Sequence, residues 1–75
     1  MSRDQLKKDR VALGISQSRL ARLAHLPRFK IVFFELGERP LSEEDQACVR
    51  AVLQAEAGRL VSAAAEIGRE LATIP

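Results

Sequence analysis

The chain lacks several residue types on which other protein classes depend. It has one cysteine, Cys48, and one histidine, His25, which excludes an internal disulfide and a zinc cluster within one chain. We find no nucleophile–base pair, metal set or cofactor fingerprint, and we expect neither an enzyme nor a bound cofactor. No apolar run approaches about 18 residues and no apolar leader follows Met1, so we expect no membrane span and a cytoplasmic protein.

Aromatic residues are also scarce. Trp and Tyr are absent, and the three aromatic residues, Phe29, Phe33 and Phe34, stand close together. A chain of 75 residues has room for one domain with a limited core, so pairing with a second copy would add stability. The hydrophobic fraction of 47% is that of an ordinary globular protein. We expect Cys48 to be a half-buried helix residue.

Charge is unevenly distributed along the chain. Residues 1–40 contain nine basic and four acidic residues, a net charge of +5. Residues 41–75 contain three basic and six acidic residues, a net charge of −3, and the two halves together give the net charge of +2. A basic half beside an acidic half is typical of a protein that binds a polyanion on one side, although small proteins often have uneven surfaces.

Helix signals cover almost the whole chain and predict an all-α fold of about four helices. The predicted helices span Arg3–Leu13, Gln17–Ala24, Pro27–Leu36 and Glu43–Ala72. Serine precedes three of them as a capping residue, at Ser2, Ser16 and Ser42. Pro27 suits the first position of the third helix, where its missing N–H costs nothing. Gly14 and Gly37 are natural stops.

The last predicted helix carries a heptad pattern beyond residue 53. Its apolar residues recur at alternating spacings of four and three: Leu53, Ala57, Leu60, Ala64, Ile67, Leu71 and Ile74. A continuous helix would be roughly 45 Å long, so we predict that residues 54–75 form a dimerisation extension of a domain at 1–53. The pattern leaves open a break at Gly58, a tail that folds back over the first helix, and a parallel or antiparallel dimer.

Two short helices joined by a three- or four-residue turn on a basic chain are one route into the DNA major groove. The segment 14–41, GISQSRLARLAHLPRFKIVFFELGERPL, resembles the lambda-repressor/Cro-like family, also called the xenobiotic response element family, and the resemblance covers about residues 5–53. The matching residues are Gly14, Ser16, Gln17, Leu20, Ala21, Leu26, Ile31, Phe34, Glu35, Gly37, Arg39 and Pro40, with Arg10 four residues before Gly14. The chain departs from the family pattern at His25, Pro27 and Val32, which replace a glycine, a serine or threonine cap, and a small polar residue.

The resemblance implies a sequence-specific regulator of transcription that binds double-stranded DNA, commonly as a dimeric repressor on a palindromic operator. Autoregulatory circuits of phage, mobile elements or restriction–modification systems are the expected setting. The implied base contacts are Arg28, Phe29, Lys30 and Phe33. The implied phosphate contacts are Gln17, Ser16, Arg19 and Arg39. The alternative is a protein-binding adaptor or antitoxin with the same fold. The operator and the sign of regulation stay open.

Several of these residues also have structural interpretations. The resemblance implies an ion pair between Arg10 and Glu35 that holds the first helix against the third. Arg28 suits a phosphate clamp nearly as well as a guanine contact. Phe34 belongs to the core by its spacing from Ile31. Phe29 and Phe33 share one helix face, and at least one of them is expected to be exposed, either for thymine methyl groups or for a dimer or helix contact.

Overall fold

The computed structural model describes residues 1–73, and within that range the protein is all-helical. The helices are α1 (Arg3–Ala12), α2 (Gln17–Leu23), α3 (Arg28–Leu36) and α4 (Glu43–Ala72). The prediction of an all-α fold with a long C-terminal helix is confirmed. Ile74, the last residue of the predicted heptad pattern, lies outside the described residues.

Serine side chains start three of the four helices, as the sequence predicts. The capping residues are Ser2, Ser16 and Ser42. Each hydroxyl oxygen accepts the backbone N–H of the third residue along the chain at 3.0–3.1 Å, which satisfies one of the N–H groups that a helix leaves without a partner at its start. Local sequence therefore decides where these helices begin.

The third helix starts one residue later than predicted. Pro27 is the capping residue and not the first helical residue, because its backbone is extended with ψ of 140°. It has no side chain with which to cap the helix, and its carbonyl oxygen accepts the N–H of Lys30 at 3.1 Å. The helices α1 and α2 also end one residue earlier than predicted, at Ala12 and Leu23.

Left-handed residues form the two turns around α3. His25 has φ of 58°, and it makes the turn between α2 and α3 at the position where the resemblance implies a glycine. Gly37 has φ of 77° and ends α3. Histidine tolerates this conformation less well than glycine does, so the turn at His25 carries a small strain that the surrounding packing must offset.

Ten buried apolar side chains form the core between the helices. They are Leu6, Ile15, Leu20, Ala21, Ala24, Ile31, Phe34, Leu41, Val49 and Leu53. The first half of α4 contributes Val49 and Leu53, and α3 contributes Ile31 and Phe34. The expectation that Phe34 belongs to the core is thus confirmed. The core holds α3 with one face inward and the opposite face at the surface.

The helix α4 runs without a break from Glu43 to Ala72. It neither stops at Gly58 nor folds back over α1, and the described part of the chain is elongated, with extents of 54 × 18 × 18 Å. The last buried side chain in α4 is Glu56, so the predicted boundary after residue 53 lies inside one helix, near the point where the core ends. Cys48 is exposed, and the expectation that it is half-buried is wrong.

Candidate nucleic-acid interface

Arg10 and Glu35 join α1 to α3 through two hydrogen bonds. The Arg10 Nε donates to Glu35 Oε2 at 2.8 Å, and its second amino group donates to Glu35 Oε1 at 2.9 Å. The remaining Arg10 amino group donates to the carbonyl oxygen of Ile15 at 3.0 Å. The hydrogen bond to Glu35 raises the pKa of Arg10. Both side chains are largely buried. This bidentate pair therefore fixes α3 against α1 from below the protein surface.

Gln17 lies beside this pair at the start of α2. Its side-chain Nε2 donates to Glu35 Oε1 at 3.3 Å, so the amide is oriented by the same carboxylate that holds Arg10. The hydroxyl of Ser16 accepts the N–H of Arg19. The two side chains that the resemblance implies as phosphate contacts therefore also position the start of α2.

A polar surface cavity of about 450 Å³ opens above the Arg10–Glu35 pair. It is lined by Lys7, Arg10, Ser16, Gln17, Ser18, Arg28, Val32, Glu35 and Leu36. Three of these residues are basic and one is acidic, so the cavity is positively charged overall. The structure thus brings Ser16, Gln17 and Arg28 together at one place, where α1, α2 and α3 meet.

The exposed face of α3 has two rows of side chains. Arg28, Val32 and Leu36 are spaced by four and lie along the same cavity, and Phe29 begins the second row with half of its surface exposed. The sequence reasoning did not include Val32 or Leu36 among the readers. Their spacing from Arg28 is the signal that places them on this face.

Phe29, Phe33 and Arg39 form a second group at the surface. The two phenyl rings lie 6.1 Å apart between centroids, at an angle of 56°. The Arg39 guanidinium carbon lies 5.3 Å from the Phe33 centroid, which is a cation–π contact. Phe33 is thus half-buried under Arg39, whereas Phe29 is exposed, and the expectation that at least one ring is exposed is confirmed.

Lys30 points toward α4 and not along the exposed face of α3. Its Nζ donates to Asp45 Oδ2 at 2.9 Å, which ties α3 to the first turn of α4. Of the four implied base contacts, Lys30 is the one whose charge a neighbouring carboxylate already engages. The partner Asp45 was not foreseen, because the sequence does not tell which side of α3 faces α4.

Arg19 also faces α4. Its guanidinium lies 3.5 Å from Glu56 Oε1, and Arg59 contacts the same carboxylate at 2.9 Å. The hydrogen bond from Arg59, together with the positive charges of Arg59 and Arg19, lowers the pKa of Glu56. This arrangement, which the sequence reasoning missed, links α2 to the middle of α4 and holds Arg19, an implied phosphate contact, by an ion pair.

Comparison with protein-family models, with curated proteins and with solved structures gives no match for this chain. Within residues 1–73, no helix has both the length and the apolar character that crossing a membrane requires. Over the same range, His, Cys, Asp and Glu nowhere form a group of three or more that could hold a metal ion.

The second half of α4 presents an apolar row to solvent. Leu60, Val61, Ile67 and Leu71 are all exposed, and the alanines of the predicted seam, Ala57 and Ala64, are exposed as well. Leu53 differs from the other seam residues, because it is buried in the core of its own chain. Rows of large exposed apolar side chains on one helix mark a surface that another element covers.

Proposed function

We propose that this protein is a homodimeric, sequence-specific DNA-binding regulator of transcription, with α3 in the major groove. The observation that supports this most is the arrangement of α2 and α3. A short turn with left-handed His25 joins them, the Arg10–Glu35 pair fixes α3, and the face of α3 with Arg28 and Phe29 is left exposed. A rigid, exposed helix on the basic half of the chain fits a groove that admits one helix.

The proposed roles follow from where each side chain lies. Arg28 reads guanine through a bidentate contact, the commonest specific contact in the major groove. Phe29, with Phe33 behind it, packs against thymine methyl groups. Gln17 and the start of α2 meet a phosphate beside the positively charged cavity. Arg39 reaches a phosphate from its place over Phe33.

The dimer places one α3 in each of two half-sites of a palindromic operator. The second copy binds through the exposed row on α4, because that row has no cover in the single chain. The protein acts by occupying a promoter, its own included, in circuits of phage, mobile-element or restriction–modification type. A palindromic site matches a two-fold symmetric protein.

The test is a gel-shift titration on fragments upstream of the coding region, with full-length protein and with Arg28→Ala. Loss of a bidentate guanine contact should reduce the preference for the specific fragment over random DNA by about 5–150-fold. Arg69→Ala, an exposed arginine near the end of α4, is the matched control and should retain the preference. The absence of a retarded band at low salt with every upstream fragment would contradict the proposal.

A protein-binding adaptor or antitoxin is the second candidate. The observation that favours it is the amount of exposed apolar surface, which includes Phe29 and Leu36 on α3 as well as the row on α4. In this case a partner protein covers these side chains. A co-purified protein partner, combined with no DNA affinity at low salt, would favour the adaptor over the regulator.

A further inference from the structure

We propose that α4 pairs with α4 of a second copy in an antiparallel arrangement centred on Ser62. This inference rests on the dimer part of the proposed function and names its geometry. Four features of the described helix support this arrangement. They are the order of side-chain sizes along the seam, the position of Val61, the charges along one flank, and an apolar cavity beside the middle of the helix.

Side-chain sizes along the seam favour antiparallel pairing. Ala57, Leu60, Ala64 and Ile67 alternate between small and large. In a parallel pair each residue meets its own copy, so layers of two alanines alternate with layers of two large side chains. In an antiparallel pair centred on Ser62, Ala57 meets the partner's Ile67 and Leu60 meets the partner's Ala64. Each layer formed by these four residues then holds one small and one large side chain, which suits dense packing.

Val61 favours the same arrangement. It has 70% of its surface exposed, the largest fraction among the large exposed apolar residues, and it stands beside the seam, next to Leu60. Near the centre of an antiparallel pair, this flank of the helix meets the same flank of the partner, so the two Val61 side chains cover each other. A parallel pair instead places Val61 against the flank that carries Glu56.

The charges on the other flank are complementary in the antiparallel pair. On this flank, in the middle of α4, Arg59 and the neighbouring Arg19 of α2 surround Glu56 and leave a net charge of +1. Near its end stand Glu66 and Glu70. Antiparallel pairing brings Arg59 within one residue of the level of the partner's Glu66, and the basic cluster beside the partner's Glu70. Parallel pairing instead sets this flank against the partner's Val61 flank, so the basic cluster and the carboxylates of the two copies do not meet.

An apolar cavity of about 400 Å³ lies between the middle of α4 and the end of α1. Its lining includes Ala12, the last residue of α1, and Leu13, which follows it. From α4 the lining includes Leu53 and Ala57. Antiparallel pairing brings the partner's Leu71 level with Leu53, over this cavity. Leu71 is exposed in the single chain, so the pairing buries an exposed leucine against an apolar surface of the folded domain.

Cross-linking of full-length chains tests the orientation. Ala57→Cys and Ile67→Cys are made separately in a Cys48→Ser background, with tags of different mass, and each is treated with a short bismaleimide alone and after co-refolding with the other. In the antiparallel pair, each introduced thiol lies about 15 Å along the axis from its own copy and level with the other variant's thiol. The expected product is a mixed dimer from the co-refolded sample, with little product from either variant alone.

Ser62→Cys in the same background is the matched control. It lies at the centre of the pair but on the outer side of the helix, so it should not cross-link. Products from each single variant in place of the mixed dimer would overturn the antiparallel arrangement, while the dimer and its DNA binding would stand. A monomeric mass in sedimentation at micromolar concentration, or a dimeric mass without cross-linked product, would overturn the inference regardless of the gel-shift result.

Discussion

At the residue scale, a few charged side chains determine how α3 is presented. Each of the three guanidinium nitrogens of Arg10 donates a hydrogen bond within the fold, two of them to Glu35 and one to the Ile15 carbonyl oxygen. Lys30 is engaged by Asp45. Arg28 is the exposed basic residue of α3. In the proposed complex with DNA, specific recognition therefore depends on this residue and on the exposed ring of Phe29 next to it.

Arg10→Met should lower the free energy of unfolding by about 3 kcal/mol, since it leaves a buried carboxylate without its charged partner. The largely buried Glu35 side chain would keep only the hydrogen bond from Gln17. Urea denaturation followed by circular dichroism measures the change. Arg22→Met is the matched control, because Arg22 is exposed on α2, and it should change the stability by less than about 0.5 kcal/mol. Equal losses for the two variants would show that the Arg10–Glu35 pair does not hold α3.

At the element scale, α4 serves two surroundings with one continuous helix. The domain covers the first half of this helix, and Glu56 is its last buried side chain. Its second half is rich in alanine, the best helix former, which offsets the cost of about 1 kcal/mol for each glycine at Gly58 and Gly68. The helix therefore continues past the core, but its exposed row needs a cover.

Glu70→Lys distinguishes the two orientations of the helix pair, because only the antiparallel pair brings residue 70 to the partner's basic cluster. In the antiparallel pair, lysine faces the partner's Arg19 and Arg59, so dimer dissociation should become about tenfold more favourable, for two symmetric contacts of about 0.5–1 kcal/mol each. In a parallel pair Glu70 lies away from the partner's basic cluster, so the same change should leave the dissociation constant within about twofold. Sedimentation equilibrium measures the dissociation constant.

Ser62→Lys is the matched control for this charge change. It adds a positive charge on the outer side of α4, away from both flanks, and should leave the dissociation constant within about twofold by the usual size of surface effects. The helix dipole favours lysine at position 70, in the last turn of α4, and lysine is a better helix former than serine at position 62, so neither variant should lose helix content in circular dichroism. An unchanged or tighter dimer for Glu70→Lys would contradict the antiparallel arrangement.

At the scale of the whole molecule, the proposed pairing determines where the two α3 helices lie. Lys30 ties α3 to Asp45, on the same side of α4 as Glu56 and Arg59. In an antiparallel pair the two copies of this side face the same direction, so both α3 helices can meet one face of DNA. Val49 stands 13 positions before Ser62, which separates the two Val49 levels by about 39 Å along the pair.

This separation predicts an operator with two inverted half-sites about one helical turn apart, since successive major grooves on one face of DNA are about 34–36 Å apart. Selection from random duplexes, followed by footprinting, should return such a pair. Inserting about five base pairs between the half-sites rotates one of them to the other face of the DNA and should weaken binding at least tenfold, to the level of a single half-site. Unchanged affinity after this insertion would contradict a rigid antiparallel dimer on DNA.

The sequence by itself determined the features that depend on neighbours in the chain. Three serines that accept N–H groups three residues away mark helix starts that were correctly predicted. Gly14 and Gly37, predicted as helix stops, both adopt the left-handed conformation. The spacing of Phe34 from Ile31 predicted its place in the core, and the heptad pattern predicted a long α4. Short-range hydrogen bonds and side-chain spacing carry this information within a few residues, so it can be read along the chain.

Only the tertiary structure decided which way the charged and aromatic side chains point. Lys30 and Arg19, both expected at DNA, meet carboxylates of α4 that are 15 and 37 positions away. Leu53, expected in the dimer seam, lies in the core. These outcomes depend on the angle at which α4 crosses α2 and α3. Packing of the whole core sets that angle, and no local pattern in the chain encodes it.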